Sequence, residues 1–175
     1  MNITIEKIDP NNKAQAEEYC SWIKNETMLK NWFLQKEDDD SEVSFTEEDF
    51  EKAFSNEDKI AFMIKDDKGY FGYGSFFINH PVGKFKEGRV CWPSLGIGKD
   101  SHRGRGLSKH LCEEIARLAK QEGCTHIEAA VFEFNEPIKN ILVKAGFKYI
   151  GKEEKKTFVD GKWWDSEHYL LKLIG

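Results

Sequence analysis

Between residues 94 and 108 the chain reads Ser94-Leu95-Gly96-Ile97-Gly98-Lys99-Asp100-Ser101-His102-Arg103-Gly104-Arg105-Gly106-Leu107-Ser108, an extended run turning through closely spaced glycines and bases. Gly104 and Gly106 let the backbone approach a ligand with no side chain between them, in dihedrals other residues resist. Leu107, Leu111, Ile115 and Leu118 follow at helical spacing. An amphipathic helix therefore starts here, and its orphan N–H groups and positive dipole end face the same point. Arg103 and Arg105 add full charges. The arrangement suits a phosphate.

Two phosphate-binding classes are excluded. The G-x-x-x-x-G-K-[ST] loop of nucleoside triphosphatases is absent, and neither Gly96-Ile97-Gly98 nor Gly104-Arg105-Gly106 has the third glycine of a dinucleotide fingerprint. Downstream, His126-Ile127-Glu128-Ala129-Ala130-Val131-Phe132 reads as a strand. Asn135 then opens a short helix with Ile138, Ile141, Leu142 and Ala145 on one face, stopping at Gly146-Phe147.

The segment Ser101-His102-Arg103-Gly104-Arg105-Gly106 resembles motif A of the GNAT acetyltransferase superfamily, [QR]-x-x-G-x-[GA], with Ser101 where the family has Gln or Arg. The strand, Asn135 and Gly-Phe pair resemble that family's motif B. The resemblance covers the chain from Val90 onward. It implies that residues 103–108 wrap the pyrophosphate of acetyl-coenzyme A, that Leu95, Gly96 and Ile97 lie beside the pantetheine arm and acetyl group, and that Asn135 touches the arm. Asn135 is equally suited to a structural N-cap, with Pro137 in the first turn. The closing Asp160-Gly161-Lys162-Trp163-Trp164-Asp165, followed by His168-Tyr169-Leu170-Leu171, resembles the Rim-type branch, which acetylates protein N-termini and related amines.

Acetyl transfer to an amine requires a neutral nucleophile, whereas a lysine-type amine has a pKa of about 10.4 and an α-amine about 8. A base or desolvation must remove a proton. Glu133, at the end of the strand leading to Asn135, is the candidate base, with a water chain beside Ser94 and Cys91 in reserve. Backbone N–H groups near Ile97 are candidates for the oxyanion. Many family members place a proton-donating Tyr four residues before the motif B glycine. Here that position is Leu142, which leaves Tyr149, a water or unassisted thiolate departure.

These elements need a scaffold of ordinary size. The chain has 175 residues, 39% hydrophobic and 13% aromatic, so residues 1–175 read as one domain. No apolar run approaches the roughly 20 residues of a membrane span, and no secretory pattern opens the chain. Cys20, Cys91, Cys112 and Cys124 form no C-x-x-C pair, so reduced thiols in the cytoplasm are expected. His80, His102, His110, His126 and His168 have no metal-ligand spacing, and no metal is expected. A net charge of −5 argues against nucleic-acid binding. Acids dominate from Glu37 through Asp58, as a solvated face or as a surface attracting a cation.

The remaining pattern gives a strand over Ile3–Ile8, a helix over Ala14–Lys24, and a helix starting at Thr46-Glu47-Glu48-Asp49 with Phe45, Phe50 and Phe54 inward. Ile60–Ile64 and Tyr70–Ile78 form a hairpin around Asp66-Asp67-Lys68-Gly69. A strand spans Val90–Gly98, with Pro93 marking a bulge or an opened edge. Phe147–Ile150 and Trp164–Leu173 close the sheet. The order β-α-α-β-β-β-α-β-α-β-β is an α/β (by some conventions α+β) fold, a mixed sheet with helices on both faces, as the GNAT resemblance implies. The expected partners are an amine-bearing small molecule or a peptide, with a homodimer left open. The alternative function is a non-catalytic coenzyme A-binding sensor or scaffold.

Overall fold

The computed structural model describes residues 3–24, 26–32, 34–37, 45–56 and 59–173. Thr4–Lys7 forms β1, followed by α1 (Lys13–Ile23), α2 (Glu26–Trp32) and α3 (Glu47–Phe54). β2 (Lys59–Asp66), β3 (Gly69–Ile78) and β4 (Val90–Ile97) run antiparallel in turn. α4 (Leu107–Gln121) then crosses to β5 (His126–Phe132), and α5 (Glu136–Lys144) leads to the hairpin of β6 (Lys148–Val159) and β7 (Lys162–Lys172). The sheet order is β1-β2-β3-β4-β5-β7-β6, with β4 and β5 parallel. This is the mixed α/β sheet the sequence predicts.

Each face of the sheet has its own core. On one face, Phe62, Ile64, Phe76 and Cys91 meet Leu107, Leu111, Ile115 and Ala119 of α4 and Leu142 of α5. On the other, Ala61, Met63 and Tyr73 meet Tyr19, Trp22 and Ile23 of α1 and Phe50 and Phe54 of α3. Burying one such large side chain contributes about 1.5–3 kcal/mol, which is why the helical stripes fix where each helix sits. Thr46 starts α3 with a reciprocal capping box to Asp49, as its sequence predicts.

The structure adds one helix and lengthens one strand. α2 has no signature in the sequence, because seven residues are too short to show a period; Met28 is its buried anchor. The strand expected over 147–150 runs instead from Lys148 to Val159. Its Gly-Lys-Glu-Glu-Lys-Lys stretch conceals it, since this is the outermost strand, where exposed charges protect an edge from pairing. Much of the acidic stretch (residues 38–44, 57 and 58) lies outside the described residues.

The feature that positions the site is a split. β4 and β5 pair only at Val90↔His126 and Cys91↔Ile127, whereas β4 stays paired to β3 from Ile78↔Cys91 to Gly72↔Ile97. Pro93 thus marks an opened edge, and the β3–β4 register shows no bulge. Asn79 N to Val90 O and Gly98 N to Phe71 O set the phase of the antiparallel bonding. Even-numbered residues of β4 therefore face β3, and Leu95 and Ile97 turn their N–H groups toward the gap.

Candidate active site

At the end of β4 the chain makes a three-residue helical turn, Asp100–His102, and enters the glycine loop. Gly104 and Gly106 have φ of 70° and 76°, left-handed values that a side chain resists. A Cβ at either would meet nothing within 4 Å, so the surface above them is open. The N–H groups of Gly104, Arg105, Gly106, Leu107 and Ser108 have no acceptor among the described residues. No side chain caps α4. Leu107 is buried in the core and holds the first turn, while Ser108 is half-buried and Arg105 exposed. The result is a row of aimed donors at a helix N-terminus, suited to an anion.

Arg103 does not simply add a free charge. Its Nε donates to Ile97 O at 3.2 Å and its Nη1 lies 2.7 Å from Asp100. Its Nη2 is buried with no partner. That orphaned donor beside the row of N–H groups fits a pyrophosphate better than a closed loop would.

The two faces of β4 carry different chemistry. Ser94 is exposed beside the gap, and its Oγ shares a 2.6 Å hydrogen bond with Tyr73 Oη. Burial, above all, pushes the Tyr73 phenol upward and keeps it protonated. Cys91 lies on the opposite face, fully buried, and burial raises its thiol strongly. The expected water chain beside Ser94 and Cys91 therefore loses its second member. Leu95 and Ile97 edge the gap, and Gly96 between them is buried and in register with Tyr73.

On the β5 side, Glu133 is exposed. Its N–H donates to Asp165 O at 2.9 Å and its carbonyl accepts from Lys139 Nζ at 3.0 Å. Asn135 stands at the head of α5, but its side chain caps nothing; Nδ2 donates to Asn31 Oδ1 at 2.9 Å. Asn135 thus holds the N-cap position without the side-chain cap bond, and its amide ties α5 to α2 instead. Leu142 is buried in the core. Tyr149 does not reach the gap: it is exposed on β6, separated from β5 by β7, with its ring edge-on to Tyr169.

Sequence reasoning missed the links Tyr73–Ser94, Asp66–His102 and Asn31–Asn135, whose partners stand 21, 36 and 104 positions apart. A local pattern carries no signal at such separations. His102 and His168 are core histidines, buried against Asp66 and Glu128. Among the described residues no group of three or more His, Cys, Asp or Glu side chains could hold a metal.

A split between parallel strands, followed by a donor-lined loop opening a helix, is the arrangement that the sequence resemblance implies. Residues 22–147 match the acetyltransferase (GNAT) family, and the chain belongs to that family. Solved structures share the fold. The spermidine N-acetyltransferase of Vibrio cholerae, in complex with CoA and spermine, is 14% identical, with 98% of this chain and 95% of that one covered and a TM-score of 0.76. The yncA protein of Salmonella typhimurium, with its cofactor acetyl-CoA, is 16% identical over 98% and 94%, at 0.73. The ribosomal-protein-alanine N-acetyltransferase of Brucella melitensis is 16% identical over 97% and 99%, also at 0.73. Among curated protein sequences, none matches the chain.

Proposed function

We propose that this protein, acting as one domain, transfers the acetyl group of acetyl-coenzyme A to a primary amine by direct attack in a ternary complex. The acceptor is a small cationic molecule or a peptide or protein N-terminus. The observation that carries this reading is the unpartnered N–H row from Gly104 to Ser108 at the end of the open β4 edge. The row and Arg103 would hold the pyrophosphate, with Arg105 close by. Leu95 and Ile97 would bond the pantetheine arm and the developing oxyanion with N–H groups already fixed in place. In the step itself the amine nitrogen bonds to the thioester carbon, the C–S bond breaks and the amine loses a proton. Glu133 is the proposed acceptor of that proton.

The net charge of −5 favours a cationic acceptor. Solved relatives take both kinds of substrate, since one structure contains spermine and another is named for a ribosomal protein. The free cysteines Cys20, Cys91, Cys112 and Cys124 suit a reducing, cytoplasmic setting. No helix among the described residues is long and apolar enough to cross a membrane. A second reading, a coenzyme A-binding module without transfer, is favoured by Leu142 at the position of the family's acid.

Release of free thiol from acetyl-coenzyme A, measured across a panel of polyamines, other amines and N-terminal peptides, separates the two. Acceptor-dependent release is expected; binding without release under any acceptor supports the sensor. Glu133→Gln should keep acetyl-coenzyme A affinity and lower turnover about 100-fold, the usual worth of a positioned base. Unaltered turnover across the pH range removes Glu133 from the mechanism and leaves the transferase standing.

A further inference from the structure

The glycine loop is held from behind by two side chains from different parts of the chain. His102 Nε2 lies 3.0 Å from Asp66 Oδ2, and the two side chains are 5% and 3% exposed. Asp66 ends β2, and its other oxygen accepts from Lys68 N at 2.8 Å, so the β2–β3 turn fixes the carboxylate. The His102 ring stacks on Phe71 at 4.4 Å and 10°, with Nδ1 3.0 Å from Ser101 Oγ. The Phe71 carbonyl also accepts from Gly98 N and Lys99 N.

Around the turn that carries His102, Lys99 pairs with Glu18 and Asp100 with Arg103, but both ties lie on its partly exposed side, and the His102–Asp66 pair is the buried one. The turn spans three residues, has no side-chain cap and closes on His102 N to Lys99 O and Arg103 N to Asp100 O. Two residues beyond His102 the unpartnered N–H row begins. A donor row binds an anion well only if its groups are aimed before the ligand arrives, because ordering a loop on binding subtracts from affinity. Ser101, at the first motif position, is too short to span the loop and instead touches the His102 ring.

We propose that Asp66 and His102 are positioning residues for the cofactor loop: a buried brace from the β2–β3 turn that holds the Gly104–Ser108 donors in binding geometry, in place of the longer residue absent at position 101. The inference rests on the acetyl-coenzyme A reading above. The brace touches neither cofactor nor acceptor, so its loss weakens cofactor binding and leaves the transfer step intact.

The test combines calorimetric titration of acetyl-coenzyme A with steady-state kinetics on wild type, His102→Ala, His102→Gln and Asp66→Asn. His102→Ala should raise Kd and KM for acetyl-coenzyme A about tenfold or more, the scale of one hydrogen bond to a charged group, with kcat at saturation within about twofold. His102→Gln, whose amide can still donate to Asp66, should recover most of the loss. Recovery by Gln is what a general packing role would not give. If His102→Ala does not fold, Asp66→Asn decides alone, with a several-fold rise in Kd expected. Unchanged Kd in Asp66→Asn and in folded His102→Ala overturns the brace, as does a fall in kcat with KM unmoved. A wild-type protein that does not bind acetyl-coenzyme A at all overturns the acetyl-coenzyme A reading, and the brace falls with it.

Discussion

Asn135 Nδ2 donates to Asn31 Oδ1 at 2.9 Å, joining the head of α5 to α2 across 104 positions of sequence. An asparagine heading a helix ordinarily turns its oxygen to the second or third N–H of that helix. Here the backbone takes φ −86° and ψ 63° and the side chain makes no cap. The local cap is given up for a tie between two helices. Asn31→Ala and Asn135→Ala should each lower stability modestly, and a double-mutant cycle should show coupling of about 0.5–1.5 kcal/mol, the net worth of one hydrogen bond. Additive effects would show that the two side chains do not work together.

Gly104→Val and Gly106→Val address the donor row. An added Cβ meets no atom within 4 Å, so its cost is mainly the positive φ of 70° or 76°, about 1–2 kcal/mol. Circular dichroism should remain near that of wild type, while stabilisation by acetyl-coenzyme A in a thermal-shift series is lost. NAD and ATP should stabilise the wild type less than acetyl-coenzyme A does. A protein that fails to fold with valine at 104 or 106 would show that these glycines serve the fold rather than the ligand.

Strong local patterns were legible, and partnerships were not. β5 falls on the residues the sequence predicts, His126–Phe132, because its flanks are sharp and its apolar run is short. α4 is marked by Leu107, Leu111 and Ile115, all buried as their spacing requires. The opened edge at Pro93 could be anticipated because proline brings no donor to a neighbouring strand. By contrast, β6 is an edge strand whose charges imitate a loop, and α2 is shorter than the window in which a period can be read. In the site, the glycines announced the donor row. The ties of the neighbouring arginine, Nε to Ile97 O and Nη1 to Asp100, have no counterpart in the local pattern.

Leu142→Tyr would install the family's usual acid, but the structure changes what this substitution should do. Leu142 is 3% exposed and belongs to the core beneath α5. Forcing a larger ring into that packing costs about 1–3 kcal/mol, so the midpoint of thermal unfolding should fall. If thiolate protonation limits turnover, kcat at a temperature where the variant is folded should nevertheless rise. A stable variant with unchanged Tm would contradict the packing described for this helix.

Asp66 also gives an acid-stability prediction with a definite sign. The hydrogen bond to His102, and then that to Lys68 N, hold its carboxyl below the ordinary value of 3.8. A depressed folded-state value means that the unfolded chain binds the proton more readily. The stabilisation is therefore fully present above the unfolded value, near pH 4, and is lost as pH falls through the folded one. Other carboxylates, including Glu6, Glu153 and Asp165, are lowered by lysine partners and shift stability the same way, so total acid lability does not isolate Asp66. The difference between wild type and Asp66→Asn does. Urea-unfolding midpoints between pH 3 and 6 should show wild type the more stable at pH 6, with the gap narrowing steadily below pH 4. A gap that stays constant down to pH 3 would mean that the Asp66 charge contributes nothing through His102, and the side chain would then act by shape and neutral hydrogen bonding alone.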